Sequence, residues 1–255
     1  MSAILLEVCC GSADDVIQAH RGGADRVELN CDLFHGGLTP TLGSLRVAKG
    51  ETGMPIIAMV RPREGGFCYT KAEFAAAVED ARLLLEHGAD GLAFGFLHED
   101  GRVDMERTRV LAELCRERGR ESVFHRAMDV TPDWRAALDQ LMELGVTRVL
   151  TSGQEASVPL GADTIRAMAD HAAGRIQILP GGGINARNLE WVARHTGCAQ
   201  LHMSGHRVCT DPSARNDRAI HYGGSLYPPE DCYKVVDGEY VAGVAARLNR
   251  GGRET

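Results

Sequence analysis

Two short apolar runs near the start of the chain each contain a carboxylate. Residues 5–10 place Glu7 among apolar neighbours, and residues 25–31 place Glu28 in the same way. Side chains alternate along a β-strand, so Glu7 and Cys9 share one face of the first run. An unpaired charge inside a protein is strongly disfavoured. The two glutamates therefore need cationic partners, a metal ion or a polar substrate, which predicts a functional site.

A guanidinium and an imidazole complete a set that suits acid–base chemistry. Arg61 follows the third apolar run and His125 lies in the fifth, and strand parity places both on the face of Glu7 and Glu28. The glutamates would transfer protons, while Arg61 and His125 would orient a substrate or stabilise developing negative charge. The alternative interpretation is a structural layer of paired charges inside the core.

A run of three glycines indicates an anion site. Residues 181–183 are all glycine and precede a predicted helix, so their bare backbone amides can hold a phosphate or another anion. The alternative is a tight turn without a ligand. The residues predicted to contact a substrate or an anion are Arg63, Asp129, Ser152, Gly182, Gly183, His202 and Ser204.

Eight cysteines are spread along the chain without CxxC spacing. In a chain of this length without an export signal, they are expected to be reduced thiols rather than a disulfide framework. A soft site for Cu(I) requires two or more converging thiolates. Cys9 is the first candidate because it shares the face of Glu7, and the candidates for a second ligand are Cys10, Cys31 and Cys68.

Composition excludes several classes of protein. The 255 residues carry a formal net charge of −7 and no basic stripe, so nucleic acid is not an expected partner. No apolar run reaches the ~18 residues that a membrane span requires. The N-terminus lacks the basic and apolar regions of a signal peptide. We therefore expect a partner that is a small molecule or a metal ion.

The elements that would position these residues alternate regularly between strand and helix. Strands are predicted at 4–9, 26–30, 56–60, 91–96, 122–129, 148–152, 175–179 and 199–204, with helices at 12–20, 42–49, 71–87, 105–118, 132–144, 162–172, 186–195 and 238–248. Eight such units predict one α/β domain over residues 1–255, a (β/α)8 TIM barrel with an irregular segment at about 207–236. The alternative is an open, doubly wound sheet.

Several motifs, which occur in order along most of the chain, resemble the CutC family of copper homeostasis proteins. They are Glu-Val-Cys-Cys at 7–10, Gly-Ala-Asp-Arg-Val-Glu-Leu at 23–29, Gly-Gly-Leu-Thr-Pro at 36–40, Arg-Pro-Arg at 61–63, Gly-Phe-Cys-Tyr at 66–69, Phe-His-Arg-Ala-Met-Asp at 124–129 and Val-Leu-Thr-Ser-Gly at 149–153. The resemblance implies a TIM barrel, cytoplasmic copper handling, a homo-oligomer, and Cu(I) ligands at Cys9 and at a thiol after the second strand. Here Asn30 directly follows Glu-Leu, and Cys31 comes one residue later.

Three functions follow from these patterns. The first is a CutC-type protein that binds and handles Cu(I) through Cys9 and Cys31. The second is a barrel enzyme that uses acid–base chemistry on a small polar substrate, including phosphorylated or sugar-like ones. The third is a binding barrel without turnover. For each we expect a dimer or tetramer, without nucleic acid or membrane partners.

Overall fold

The computed structural model describes residues 4–217, 219–222 and 229–251. Its strands are β1 (Leu5–Cys10), β2 (Arg26–Leu29), β3 (Ile56–Met59), β4 (Gly91–Phe94), β5 (Glu121–Phe124), β6 (Arg148–Thr151), β7 (Gln177–Pro180), β8 (Gln200–Met203), β9 (His206–Thr210) and β10 (Cys232–Val236). Its α-helices are α1 (Ala13–Arg21), α2 (Leu42–Thr52), α3 (Lys71–Glu86), α4 (Met105–Glu117), α5 (Trp134–Glu143), α6 (Val158–Ala172), α7 (Leu189–Thr196) and α8 (Gly238–Gly251).

The first eight strands form a parallel sheet that closes into a barrel. Their order is β7-β6-β5-β4-β3-β2-β1-β8, and a bridge between Gly181 and His202 joins the two ends. The predicted (β/α)8 TIM barrel is confirmed, and the open sheet is excluded. Because every strand of such a barrel runs in the same direction, all carboxyl ends meet at one mouth.

Short polar residues fix where the helices begin. The Ser12 side chain accepts the backbone N–H of Asp15 at the start of α1, and Thr70 and Glu73 form a reciprocal capping box on α3. These caps satisfy amides that have no partner within the helix. They therefore fix the residue at which each of these helices begins after the preceding loop.

The barrel interior holds an apolar cluster and a polar side, with further polar groups, among them Arg148, near the strand starts. A buried apolar cluster inside the ring consists of Ile57, Met59, Ala93, Val123, Leu150 and Leu179. Strands β1, β2 and β8 instead carry buried polar groups, which are Glu7, Arg26, Glu28, Gln200 and His202. The larger hydrophobic core lies between the sheet and the helices. The polar side therefore lies where the first and last barrel strands meet.

The predicted strand over 122–129 is wrong in its second half. Strand β5 ends at Phe124, and a 3-10 turn follows at Arg126–Val130. The turn forms because His125 Nδ1 accepts the backbone N–H of Ala127 at 3.1 Å. A continuous strand would place Arg126 and Asp129 on opposite faces, but in the turn they form an ion pair, with 2.7 Å between Arg126 Nε and Asp129 Oδ2.

Two helix starts also differ from prediction. Helix α6 begins at Val158 rather than 162, because Pro159 is tolerated in a first helical turn. Helix α7 begins at Leu189 rather than 186, because Asn185 and Asn188 hold the preceding residues in a turn through their side chains.

The segment at 207–236, predicted to be irregular, has a strand at each end. Strands β9 and β10 pair antiparallel, with Cys209 opposite Tyr233. Residues 218 and 223–228 of this segment lie outside the described residues. The predicted helix at 238–248 corresponds to α8. None of the described helices is both long and apolar enough to cross a membrane.

Candidate functional site

Glu7 lies on the inner face of β1 between two cationic side chains. Arg26 Nε donates a short hydrogen bond to one carboxylate oxygen, and His202 Nδ1 lies 2.8 Å from the other. Strand register brings the three together, since Glu7 lies opposite Arg26 of β2 and opposite His202 of β8. The cationic partners that Glu7 needs are therefore Arg26 and His202, rather than Arg61 and His125.

These contacts set the protonation states of the buried groups. Burial would raise the pKa of Glu7, but the hydrogen bond from His202 and the charges of His202 and Arg26 lower it to about 2. Burial would lower the pKa of His202, yet contacts with Cys9 and Glu7 and the charge of Glu28 raise it well above 6.5. At neutral pH Glu7 is thus a carboxylate paired with the His202 imidazolium.

A hydrogen-bonded chain continues from Arg26 away from the mouth. Arg26 Nη2 donates to Gln200 Oε1 at 2.8 Å, and Gln200 Nε2 donates to Gln177 Oε1 at 3.0 Å. Arg148 then donates to Gln177 at 3.0 Å and to Glu121 at 2.9 Å. This chain resembles the alternative interpretation of the sequence, which was a structural layer of paired charges inside the core. It contacts Glu7 through Arg26, on the side of the barrel away from the mouth.

Toward the mouth, Cys9, Glu28 and His202 form a candidate metal group. One ligand atom from each side chain lies within 4.8 Å of the other two. Burial is the largest cause that raises the pKa of both Cys9 and Glu28. The Cys9 thiol therefore keeps its proton at neutral pH, and a metal ion would displace it on binding.

Asn30 completes the surroundings of this group. Its Nδ2 donates to Glu28 Oε2 at 3.1 Å and lies 3.6 Å from Cys9 Sγ. The Asn30 Oδ1 is buried and has no partner among the described residues. The residue after Glu-Leu therefore faces the Cys9 thiol, as strand parity predicts for this position.

His125 lies in a separate part of the mouth, against Phe67. Their ring centroids are 4.9 Å apart, and burial together with the charge of Arg61 lowers the pKa of His125 to about 3. Since Nδ1 accepts the Ala127 N–H, the neutral ring carries its proton on Nε2. That buried Nε2 donates to no described residue.

Gly95 provides the space that the His125 ring occupies. A Cβ atom at residue 95 would lie 2.6 Å from His125 Nδ1 and 2.7 Å from Ala127 Cβ. We expect Gly95→Ala to lower the free energy of unfolding by about 1–3 kcal/mol, the usual cost of overpacking. Urea unfolding measures this change. Gly50→Ala is the control, because a Cβ there meets nothing within 4 Å, and equal stability of both variants would contradict the packing argument.

Arg61 stabilises the loops around the mouth. Its Nη1 donates to the carbonyls of His35 and Gly37 at 2.9 and 3.0 Å, and its Nη2 donates to Gly65 at 2.9 Å. The guanidinium also lies 5.6 Å from the Phe67 ring centroid. Arg61 lies at the mouth, as strand parity predicts. Its contacts there stabilise the surrounding loops, and none of them joins it to Glu7 or Glu28.

Arg126, Asp129 and Ser152 form a polar cluster beside the glycine run. Arg126 Nη2 donates to Ser152 Oγ at 2.8 Å, and Asp129 accepts the Ser152 backbone N–H at 3.0 Å. Gly182 lies against Arg126, since a Cβ at residue 182 would be 3.5 Å from Arg126 Cζ. Sequence reasoning missed Arg126 because it assigned this residue to the outer face of a strand.

Three other predicted site residues lie apart from the Cys9 group. Cys31 points its thiol at the Thr39 carbonyl, 3.0 Å away, in a bridge with the loop before α2. Arg63 pairs with Glu73 at 2.7 Å and lines an outer cavity of about 480 Å³ beyond the mouth. Ser204 is exposed just after β8.

The fold and the site define a class of protein: a (β/α)8 barrel with a largely buried sulfur, nitrogen and oxygen group at its mouth. The family model described as "CutC family" matches residues 4–207. The chain belongs to the CutC family.

Relatives match along nearly the whole chain. A CutC family protein of Treponema denticola is 48% identical over 236 residues, covering 92% of this chain and 95% of the relative. The human copper homeostasis protein cutC homolog is 40% identical, covering 92% of this chain and 86% of the relative. The crystal structure of the putative copper homeostasis protein CutC from Streptococcus agalactiae superposes with a TM-score of 0.74 at 33% identity, covering 78% of this chain and 98% of that one.

Proposed function

We propose that this protein handles cytoplasmic copper by binding one Cu(I) ion per chain, held between Cys9 and His202 at the barrel mouth. The observation that carries the proposal is the convergence of Cys9, Glu28 and His202 within 4.8 Å. Membership of a family whose relatives are named for copper homeostasis supports the choice of metal. Copper is here the cargo of the protein.

The donor set is compatible with monovalent copper. A thiolate is the soft ligand that Cu(I) prefers, and an imidazole nitrogen is a suitable second ligand. Because Glu7 holds His202 Nδ1, the other ring nitrogen, Nε2, is the one left for a metal ion, which would displace the imidazolium proton from Nε2 to solvent on binding. A carboxylate on the far nitrogen also orients the ring and increases its basicity, as behind many metal-binding histidines.

The remaining residues shape and protect the site. Asn30 Nδ2 faces both Cys9 Sγ and Glu28 Oε2, so its amide fixes the thiol side of the group. Glu28 is buried and supplies a carboxylate that offsets the charge of the ion. The second thiol expected at Cys31 points elsewhere, so the proposed ligand pair is one thiolate and one imidazole.

Anaerobic titration of the purified protein with Cu(I), in competition with a chromophoric chelator, tests the proposal. We expect one tightly held ion per chain, and loss of that ion in Cys9→Ser and in His202→Phe. Cys68→Ser is the matched control, because Cys68 is exposed in the loop after β3.

Two results would refute the assignment. One is retention of the ion by Cys9→Ser. The other is tighter binding of Zn²⁺ than of Cu(I), because a sulfur, nitrogen and oxygen set also suits zinc. The expected homo-oligomer stays a prediction, which light scattering of the same samples measures.

A further inference from the structure

Two carbonyl groups of the glycine run are held by hydrogen bonds within the protein. The Gly182 carbonyl accepts the backbone N–H of Val158 at 2.8 Å. The Gly183 carbonyl accepts the side-chain amides of Asn185 and Asn188 at 3.3 and 2.9 Å. Because both carbonyls are engaged, the peptide units of this loop are fixed in orientation before any ligand arrives.

The amide groups of the same loop have no such partners. Among the described residues, the backbone N–H groups of Gly182, Gly183 and Ile184 make no hydrogen bond. The same is true of Ser204 and Gly205 on the loop after β8, which the bridge between β7 and β8 brings alongside. Successive unpaired amides form a concave surface that binds anions.

Arg126 adds a fixed positive charge to this surface. Asp129 holds its Nε at 2.7 Å and Ser152 Oγ accepts from its Nη2 at 2.8 Å. The third nitrogen, Nη1, lies 3.6 Å from a Cβ position on Gly182 and donates to no described residue. Asp129 offsets part of the charge, but its oxygens are occupied by the hydroxyl and amide groups around it.

Ser157 closes the other side of the loop. A Cβ at Gly183 would lie 3.0 Å from Ser157 Cβ and 3.9 Å from its Oγ. The Ser157 hydroxyl does not cap α6, although it stands at the position where a cap would act. It is therefore an additional donor beside the loop amides. A side chain on Gly183 would fill the space between them.

We propose that the loop at 181–184, with Arg126 and Ser157, binds a phosphoryl group, either as free phosphate or at the end of a small phosphate ester. Gly182 lies against Arg126 and Gly183 lies against Ser157, so amide, guanidinium and hydroxyl donors are all available to the several oxygens of a phosphoryl group. The position after β7 and β8 is also where barrels of this type commonly bind phosphate. This loop meets the proposed copper site at Gly181, which bridges to His202, but neither Arg126 nor Ser157 is a proposed copper ligand.

Calorimetric titration of the full chain with inorganic phosphate, glycerol 3-phosphate and acetate tests the proposal. We expect saturable binding of the two phosphates and weaker binding of acetate. Arg126→Gln should weaken phosphate binding about tenfold or more, because it removes a charge-assisted hydrogen bond. Ser157→Ala should weaken it less, and Arg126→Lys should restore part of the loss. Arg116→Gln, an exposed residue on α4, is the control.

The outcomes separate this site from the copper site. Tighter binding of glycerol 3-phosphate than of phosphate supports an ester ligand, and equal binding supports free phosphate. Absence of saturable binding, equal binding of acetate, or unchanged affinity in both Arg126→Gln and Ser157→Ala would overturn the proposal. Cu(I) stoichiometry should be unchanged in Arg126→Gln, and phosphate affinity should be unchanged in Cys9→Ser.

Discussion

Asn30→Cys is expected to raise the affinity of the barrel mouth for Cu(I). Residue 30 faces Cys9, with Asn30 Nδ2 3.6 Å from Cys9 Sγ, so a cysteine there would bring a second thiolate to the ion. A residue that hydrogen-bonds a metal ligand typically changes metal affinity by about 10–100-fold. An added direct ligand should raise the Cu(I) affinity by at least as much. Chelator competition under anaerobic conditions measures the change.

The control for this gain removes the amide without adding sulfur. Asn30→Ser should leave Cu(I) affinity at or below its starting value, because it supplies no soft ligand. Asn30→Cys combined with Cys31→Ser should keep the gain, since the Cys31 thiol points at Thr39. If Asn30→Cys bound Cu(I) no more tightly than Asn30→Ser, residue 30 would not face the metal ion, and the proposed ligand geometry would be wrong.

Glu7→Gln is expected to lower the free energy of unfolding by about 3–5 kcal/mol, the usual cost of removing one partner of a buried ion pair. The carboxylate is buried and pairs with both Arg26 and His202, so the variant removes the one counter-charge that the two cations share. Arg26 keeps only the more distant Glu121, at 3.9 Å. Denaturant unfolding, monitored by circular dichroism, measures the loss.

Glu190→Gln is the matched control, because it breaks an ion pair with Arg247 in which both side chains are more than 40% exposed. Such pairs contribute about 0–1 kcal/mol. A similar small effect in Glu7→Gln would mean that water reaches the interior pair and that burial does not strengthen it. Cu(I) affinity should also fall in Glu7→Gln, because His202 loses the carboxylate that orients its ring.

Much of the interior could be predicted from side-chain alternation alone. Glu7, Arg26, Glu28 and Asn30 all face inward, because period-two parity holds over short strands with one apolar face. The barrel itself follows from eight strand–helix units of regular length. These features depend on local sequence, and local sequence therefore suffices to predict them.

Pairing between distant residues could not be predicted in the same way. His202 reaches Glu7 only because the ring closes in a register that sets these two residues opposite each other. Strand parity also fails where a strand ends early. Strand β5 ends at Phe124, so parity places Arg126 on the wrong face of the sheet. Long side chains add a further uncertainty, because Arg61 starts at the mouth but extends to loop carbonyls.

Because the polar side lies where the first and last barrel strands meet, its contacts form late in folding. Glu7 and His202 are 195 residues apart, and loops that long are slow to close. Cys9 therefore gains its imidazole neighbour only after the last barrel strand has docked onto the first. A nascent or truncated chain that lacks β8 has the thiol without the histidine, so capture of a metal ion by the proposed Cys9–His202 pair would require a complete ring.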